Sequence, residues 1–212
     1  MVSQPAKVTV VTKFRAVLAA ALVGASAAAL PGCVPMLVGA GAEAGTAAAE
    51  DRGLEGAIDD TKIRAQINDL WFRKDVDMYR QVGLTVFEGR VLLTGVVPTE
   101  QARTDAVRLT WQASGVKDVY NEIHVDPNGE ALIDSGRDTV IAEKLKAKLL
   151  FDKDIQNINY RVDVVDGVIY LMGIAQNQDE LDRVIAYARD IPDVTQVISH
   201  VVLKDDPKRV SG

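Results

Sequence analysis

The chain has 212 residues, of which 25% are charged and 48% hydrophobic. This composition indicates one or two small soluble domains rather than a membrane protein with several spans. The net charge is −6 for the whole chain and −9 for residues 33–212, because Lys7, Lys13 and Arg15 precede Cys33 and no acidic residue does. Such an acidic body argues against non-specific binding to nucleic acid. Cys33 is the single cysteine, so it is a free thiol, an intermolecular bridge or a modified residue.

The first 32 residues have the parts of a secretion signal. A basic stretch is followed by an uncharged apolar run over residues 16–30 and then by small residues at a cleavage point. The segment ends in Leu30-Pro31-Gly32-Cys33, which resembles a lipobox with proline in an uncommon position. We therefore predict a signal peptide over residues 1–32 and lipidation of Cys33. Cleavage within residues 25–29 and an uncleaved anchor are the alternatives.

Lipidation would make Cys33 a membrane anchor. The resemblance to lipoproteins implies a thioether-linked diacylglycerol and usually a third acyl chain on this cysteine. Each buried methylene contributes about 0.8 kcal/mol, so two or more chains anchor a protein stably. Val34 follows the cysteine where an aspartate commonly retains such proteins in the inner membrane. The resemblance therefore favours the periplasmic side of the outer membrane.

A tether and two copies of one unit follow the anchor. Residues 38–50 are almost entirely Gly, Ala, Thr and Glu, and we interpret residues 33–56 as a flexible tether. Beyond it the sequence repeats with an offset of 78 residues: Glu88-Gly89 recurs as Asp166-Gly167 and Gly95 as Gly173. Such a repeat indicates two copies of one structural unit. We place copy one at residues 57–126, a linker at 127–136, copy two at 137–205 and a tail at 206–212.

Each copy has the same order of predicted elements. An amphipathic helix comes first, because apolar residues recur at spacings of three and four: Ile63, Ile67, Leu70 and Trp71 in copy one, and Ile141, Leu145 and Leu149 in copy two. A hairpin follows, with strands over 84–87 and 90–97 or over 161–165 and 168–174, and an acidic residue followed by Gly makes each turn. A second helix spans 99–114 or 178–190, the latter capped by Asn177. A strand over 116–125 or 194–203 closes each copy.

This order predicts an α+β fold of two tandem αββαβ units, each with two helices packed on one face of a three-stranded sheet. A unit of about 70 residues has a small core, so the copies are expected to support each other. The turns, the V-x-L-x-G motif at residues 91–95 with its counterpart at 169–173, and G-V-x-x-V-x-N at 115–121 resemble the BON domain. Two such domains after a lipobox and tether are similar to the dual-BON outer-membrane lipoproteins. Copy two departs from the motif at Asp193 and Ser199.

No set of residues predicts catalysis. His124 and His200 are the two histidines, and neither has partners at zinc-ligand spacing. We interpret both as strand residues at a solvent edge. Acids alternate after the first helix of each copy and are interpreted as solvated turns, with calcium binding as the alternative: Asp75, Asp77, Asp152 and Asp154. The chain is expected to be no enzyme and to need no metal or cofactor.

The first helix of copy two carries the candidate binding surface. At about 100° per residue, Lys144, Lys148 and Phe151 fall together beside the buried stripe, while Leu150 projects almost opposite Ile141. Lysines beside apolar side chains could rest on anionic lipid. The resemblance also implies that the second BON domain contacts anionic phospholipid around this helix. The alternative is that Phe151 folds into the core or between the copies.

The tryptophans receive different interpretations. Trp71 continues an apolar stripe and is predicted to be core, whereas Trp111 lies off the stripe of its helix and either contacts a protein partner or covers the seam between the copies.

We expect a non-catalytic, lipid-anchored periplasmic module that binds anionic phospholipid and supports envelope integrity. An adaptor for an envelope enzyme or assembly machine is the alternative.

Overall fold

The computed structural model describes residues 46, 48–128 and 135–210. The predicted signal peptide, the lipobox residues Leu30, Pro31 and Gly32, the predicted lipidation site Cys33, residues 34–45 of the tether and residues 129–134 of the linker lie outside the described residues. Within the described ranges, no helix combines the length and the apolar character needed to cross a bilayer.

Copy one contains two helices before its hairpin: α1 (Gly53–Lys74) and the short α2 (Val76–Gln81). The hairpin consists of the antiparallel strands β1 (Val82–Phe87) and β2 (Arg90–Val97). After α3 (Glu100–Thr110), the chain returns parallel to β2 as β3 (Asp118–Asn121) and β4 (His124–Val125). The predicted last strand is therefore interrupted after Asn121, whose side-chain oxygen accepts a hydrogen bond from the Ile123 N–H at 3.3 Å.

Copy two repeats this plan with a continuous last strand. It consists of α4 (Ser135–Phe151), a 3-10 turn (Asn157–Asn159), β5 (Tyr160–Val165), β6 (Val168–Ala175), α5 (Gln178–Arg189) and β7 (Gln196–Leu203), followed by α6 (Pro207–Val210). The sheet order is β5-β6-β7, with β6 antiparallel to β5 and parallel to β7. Asn177 caps α5 as predicted, accepting a hydrogen bond from the Glu180 N–H at 2.9 Å. The predicted tandem αββαβ fold is confirmed.

The predicted apolar stripes form the core of each copy. Ile63, Ile67 and Trp71 of α1 pack against β2 residues Val91 and Leu93. In copy two, the equivalent core consists of Ile141, Leu145 and Leu149 with Ile169 and Leu171. Trp71 is fully buried, as predicted, and donates its indole N–H to the Ala106 carbonyl at 3.2 Å.

The opposite faces of the two sheets pack against each other and form what we call the seam. Successive strand residues point to opposite faces. Val91 and Leu93 of β2 face the helices, so Leu92 between them faces the seam. It joins Phe87 and the copy-two residues Tyr170, Met172 and Ile174 in one fully buried cluster. Each such side chain contributes about 1.5–3 kcal/mol on burial. The two copies thus form a four-layer sandwich whose helices lie on the two outer sides.

Both histidines contact the other copy at the seam. His124 is nonetheless exposed, as its interpretation as a solvent-edge residue predicts. The His200 side chain is only 16% exposed, so that interpretation is wrong for His200. His200 of β7 stacks on the Tyr120 ring of copy one with centroids 4.2 Å apart, and its Nε2 lies 2.9 Å from a Glu122 oxygen. The His124 Nε2 lies 3.1 Å from the Tyr170 hydroxyl. Burial and nearby carboxylates, including that of Glu122, raise the pKa of Tyr170 to about 12. The phenol therefore keeps its proton at neutral pH.

The expected tether and tail both extend too far into the folded chain. Helix α1 begins at Gly53 and Glu50 is only 7% exposed, so residues 50–56 belong to the folded unit. At the other end, Arg209 donates to both carboxylate oxygens of Glu88 at 3.0 and 2.7 Å. The physical reason is the same at both ends of the folded unit, because a charged side chain there forms an ion pair with the other copy. Glu50 pairs with Arg161, and Arg209 pairs with Glu88.

Candidate functional site

Helix α4 buries one face and exposes two large apolar side chains at its end. Leu145 and Leu149 are buried, whereas Leu150 is 61% and Phe151 83% exposed. The alternative that Phe151 folds into the core or the seam is therefore wrong. Together with the predicted lysines, these side chains define what we call the α4 surface: Lys144, Lys148, Leu150 and Phe151.

The two lysines of the α4 surface have different environments. The Lys148 ammonium lies 2.8 Å from a carboxylate oxygen of Asp190, just beyond α5, and 5.3 Å from the centre of the Tyr187 ring. The hydrogen bond from Lys148 holds the pKa of Asp190 below its ordinary value. Lys144 is exposed, and no ion pair of Lys144 occurs within the described ranges. Lys144 is thus the more available cation, and Lys148 is shared with α5.

Sequence reasoning missed two groups next to Phe151. Lys153 is exposed in the loop that follows α4. Arg183 of α5 reaches the same loop, where it lies 3.5 Å from an Asp152 oxygen and 3.1 Å from an Asp154 oxygen. The repeated sequence F-x-K-D after each first helix was the available signal for Lys153, whereas Arg183 lies too far along the chain for any spacing rule.

The acidic loops serve as turns and caps. Asp75 accepts a hydrogen bond from the Asp77 N–H at 2.8 Å and thereby caps α2, and Asp152 accepts one from the Asp154 N–H at 2.9 Å. Within the residues that the structure describes, no group of three or more His, Cys, Asp or Glu side chains is placed to hold a metal ion.

Copy one has an exposed aromatic at the end of its own first helix. Phe72 is 56% exposed and contacts Tyr79 edge to face, with centroids 5.9 Å apart. The neighbouring cations pair with acids, since Arg73 lies 2.9 Å from Asp69 and Lys74 lies 3.4 Å from Asp105. Copy one therefore has an exposed aromatic without the free lysine that Lys144 provides in copy two.

Trp111 lies on the outer helix layer of copy one. It follows α3 and is 51% exposed, and the buried cluster of the seam does not include it. The alternative that Trp111 covers the seam is therefore wrong. Its role as a contact for a protein partner stays a prediction.

Two concave regions flank these surfaces. A groove of about 520 Å³ lies between α4 and the edge of copy one, and its walls include Leu150, Val162 and Thr85. A cavity of about 880 Å³ lies at the Glu88-Gly89 turn. In that cavity the Asp60 carboxylate pairs with Arg52 and the Glu88 carboxylate with Arg209. We assign no chemistry to the cavity, because these carboxylates already have partners.

Two αββαβ units that share a seam define a tandem α+β module. A family model for the BON domain matches residues 59–127 and again residues 137–205. The chain therefore belongs to the BON domain family and contains two copies of the domain.

Three relatives match this chain over most of their own length. The chain is 41% identical over 152 residues to "Uncharacterized protein in gshII 5'region" of Anaplasma centrale, covering 72% of this chain and 99% of that protein. It is 29% identical over 152 residues to "Outer membrane lipoprotein DolP" of Haemophilus influenzae, covering 70% and 78%. It is 26% identical over 141 residues to "Osmotically-inducible protein Y" of Escherichia coli, covering 66% and 70%. The resemblance to dual-BON proteins of the DolP type is confirmed.

Proposed function

We propose that the chain is a non-catalytic, lipid-anchored periplasmic protein whose paired BON domains bind anionic phospholipid and support outer-membrane integrity. The observation that carries the proposal is the exposure of Leu150 and Phe151, at 61% and 83%, beside lysines on α4. The names of the relatives support the location: one is an outer membrane lipoprotein and another is osmotically inducible. The lipobox-like sequence ending at Cys33 supports the anchor.

The proposed contact combines apolar insertion with electrostatic attraction. A lysine near an anionic bilayer surface contributes about 1 kcal/mol, and burial of an aromatic side chain contributes about 1.5–3 kcal/mol. Lys144 and Lys153 supply the available charges, while Lys148 contributes to the extent that it leaves Asp190. A contact of this strength is weak alone. The anchor at Cys33 makes it useful, because the tether keeps the local lipid concentration high.

Vesicle flotation of residues 45–212, which form one compact unit, tests the lipid contact. We expect binding to anionic vesicles and little binding to neutral ones. Phe151→Ser and Lys144→Glu should each reduce binding by about fivefold or more, since each removes at least about 1 kcal/mol.

Phe72→Ser is the matched control, because Phe72 is an exposed aromatic at the equivalent end of α1. We expect it to leave flotation unchanged. Equal binding to both kinds of vesicle, or equal losses with Phe72→Ser and Phe151→Ser, would contradict the proposed surface.

The second candidate function is an adaptor for an envelope enzyme or assembly machine. The exposure of Trp111, at 51%, favours it, because aromatic side chains dominate the energetics of protein interfaces. Loss of one defined membrane partner with Trp111→Ala, while flotation stays unchanged, would favour this candidate over lipid contact.

A further inference from the structure

The residues that join the tether to α1 are bound to copy two, although they directly precede copy one. We call residues 50–52 the N-terminal staple. Glu50 lies 2.8 Å from the Arg161 guanidinium of copy two. Arg52 bridges back to copy one, because it lies 2.5 Å from Glu50 and 2.6 Å from Asp60.

Asp51 makes the densest set of contacts in the staple. Its backbone N–H donates to the Asn159 side-chain oxygen at 2.9 Å, and its carboxylate accepts from the Asn159 amide at 2.6 Å and from the Gln176 amide. The Lys204 ammonium lies 2.9 Å from the other carboxylate oxygen. Burial alone would raise the pKa of Asp51, but the hydrogen bonds from Lys204 and Gln176 outweigh burial and lower it. Copy two therefore binds Asp51 as a carboxylate.

These contacts place the staple at the Phe151 end of copy two. Asn159 ends the loop that follows α4, and the Glu180 carboxylate accepts hydrogen bonds from the N–H groups of both Gln156, in that loop, and Gln176. The far end of copy two is the Asp166-Gly167 turn, which Asp138 holds near the start of α4. Since α4 has 17 residues, about 25 Å separates its two ends.

The exit point of the tether matters because the tether is short relative to the body. Cys33 and Glu50 lie 17 positions apart, and the flexible tether that the sequence predicts would have a root-mean-square span of about 23 Å. A body of about 165 residues has a radius of gyration of about 15 Å, which corresponds to a breadth on the order of 40 Å. The end of the body from which the tether leaves is therefore the end held nearest to the anchor.

We propose that Glu50 and Asp51 are positioning residues that make the anchored tether leave the folded unit at the Phe151 end of copy two. The lipid anchor then presents the α4 surface to the bilayer. Without the staple, residues 50–52 would add to the free tether, and the body would turn more freely about the start of α1. This inference rests on the proposed lipid contact and adds a determinant of orientation to it.

The test uses the single cysteine as an attachment point. Residues 33–212 carrying Phe151→Trp are coupled through the Cys33 thiol to a maleimide lipid in anionic vesicles whose acyl chains are brominated. Quenching of the fluorescence introduced at position 151, relative to protein without Phe151→Trp, reports contact with the acyl chains. We expect the double variant Glu50→Ala, Asp51→Ala to lose at least half of this quenching, and the matched control Glu55→Ala to lose none.

The same proteins without the maleimide lipid separate the two claims. If the staple acts only on orientation, the uncoupled double variant binds anionic vesicles as well as the uncoupled parent and keeps the parent's near-ultraviolet circular dichroism. Equal quenching in the coupled double variant and its parent would overturn the staple inference and leave the lipid contact standing. If the uncoupled double variant lost as much binding to anionic vesicles as the coupled one lost quenching, the staple inference would also be overturned, because the staple would then maintain the fold. Absence of quenching and of binding in the parent would overturn both proposals.

Discussion

At the scale of single residues, one buried acid in each copy explains the repeated turn. The Asp138 carboxylate accepts hydrogen bonds from the N–H groups of Asp166 and Gly167 at 2.8 and 2.9 Å, and Asp60 does the same for Glu88 and Gly89 at 2.8 Å each. The repeat in the sequence predicted both turns, and Asp60 recurs as Asp138 at the same offset of 78 residues. The repeat did not predict that the acid binds the turn, because the two are 28 residues apart in the chain.

Replacing Asp138 with asparagine tests this role. The amide retains one acceptor oxygen, so one of the two turn N–H groups loses its partner, and an unsatisfied buried donor costs about 1–3 kcal/mol. We expect Asp138→Asn to lower the free energy of unfolding in urea by that amount. Asp205→Asn, at an exposed acid, should change it by less than about 0.5 kcal/mol. Equal effects of the two substitutions would contradict the assignment.

The departures of copy two from the motif preserve the local geometry. Asp193 has φ +70° where Gly115 of copy one has φ +95°, and aspartate is among the residues that tolerate this left-handed region. Ser199 accepts a hydrogen bond from the Val201 N–H at 3.4 Å, as Asn121 does from Ile123. Gly173 remains glycine because a Cβ there would lie 1.9 Å from the Asn159 carbonyl oxygen. Asp193 and Ser199 thus preserve the backbone conformation and the hydrogen bond that Gly115 and Asn121 provide in copy one, whereas no side chain fits at Gly173.

At the scale of elements, periodicity predicted the helices and turn chemistry predicted the hairpins. The short α2 and the interruption of the last strand in copy one were missed, because each depends on one local cap: Asp75 for the helix and Asn121 for the strand. Propensity alone does not show which of several polar side chains will bind the backbone. The exposure of Phe151 at the end of α4 agrees with one of the two alternatives that the sequence left open, whereas the contact of Lys148 with Asp190 was not predicted.

The contact between α4 and α5 lowers the net charge of the α4 surface. Asp190 neutralises Lys148 at 2.8 Å, so Asp190→Asn should free one lysine for an anionic surface. Since a lysine there contributes about 1 kcal/mol, we expect affinity for anionic vesicles to rise about fivefold in a vesicle titration.

Asp182→Asn is the control, since it removes the same charge from an exposed position on α5. An equal increase with Asp182→Asn would show that net charge, and not release of Lys148, determines binding.

At the scale of the whole molecule, the two copies form one body through their sheets. Glu122 and His200, which contact each other across the seam, are 78 residues apart, the same as the repeat offset. Equivalent positions therefore meet, as they do at the twofold axis of a symmetric dimer. The repeat predicted mutual support between the copies. It did not predict which faces meet, because strands with apolar residues on both faces can be covered from either side.

This arrangement separates two outer faces, and residues at both ends of the folded body contact the other copy. The helices of copy two present the α4 surface on one side, and those of copy one present Phe72 and Trp111 on the other. Glu50 of the staple contacts Arg161 of copy two, and Arg209 contacts Glu88 of copy one. No sequence pattern predicts these contacts, because each joins residues more than 100 positions apart.

The proposed function depends most on the lipid anchor at Cys33, and intact-mass analysis of the protein extracted from membranes tests this anchor directly. We expect a mature chain that begins at Cys33 and carries the added mass of a diacylglycerol and a further acyl chain. Cys33→Ala should lack this mass and leave the membrane fraction. A soluble wild-type protein without the added mass, or a mature chain that begins elsewhere, would contradict the account.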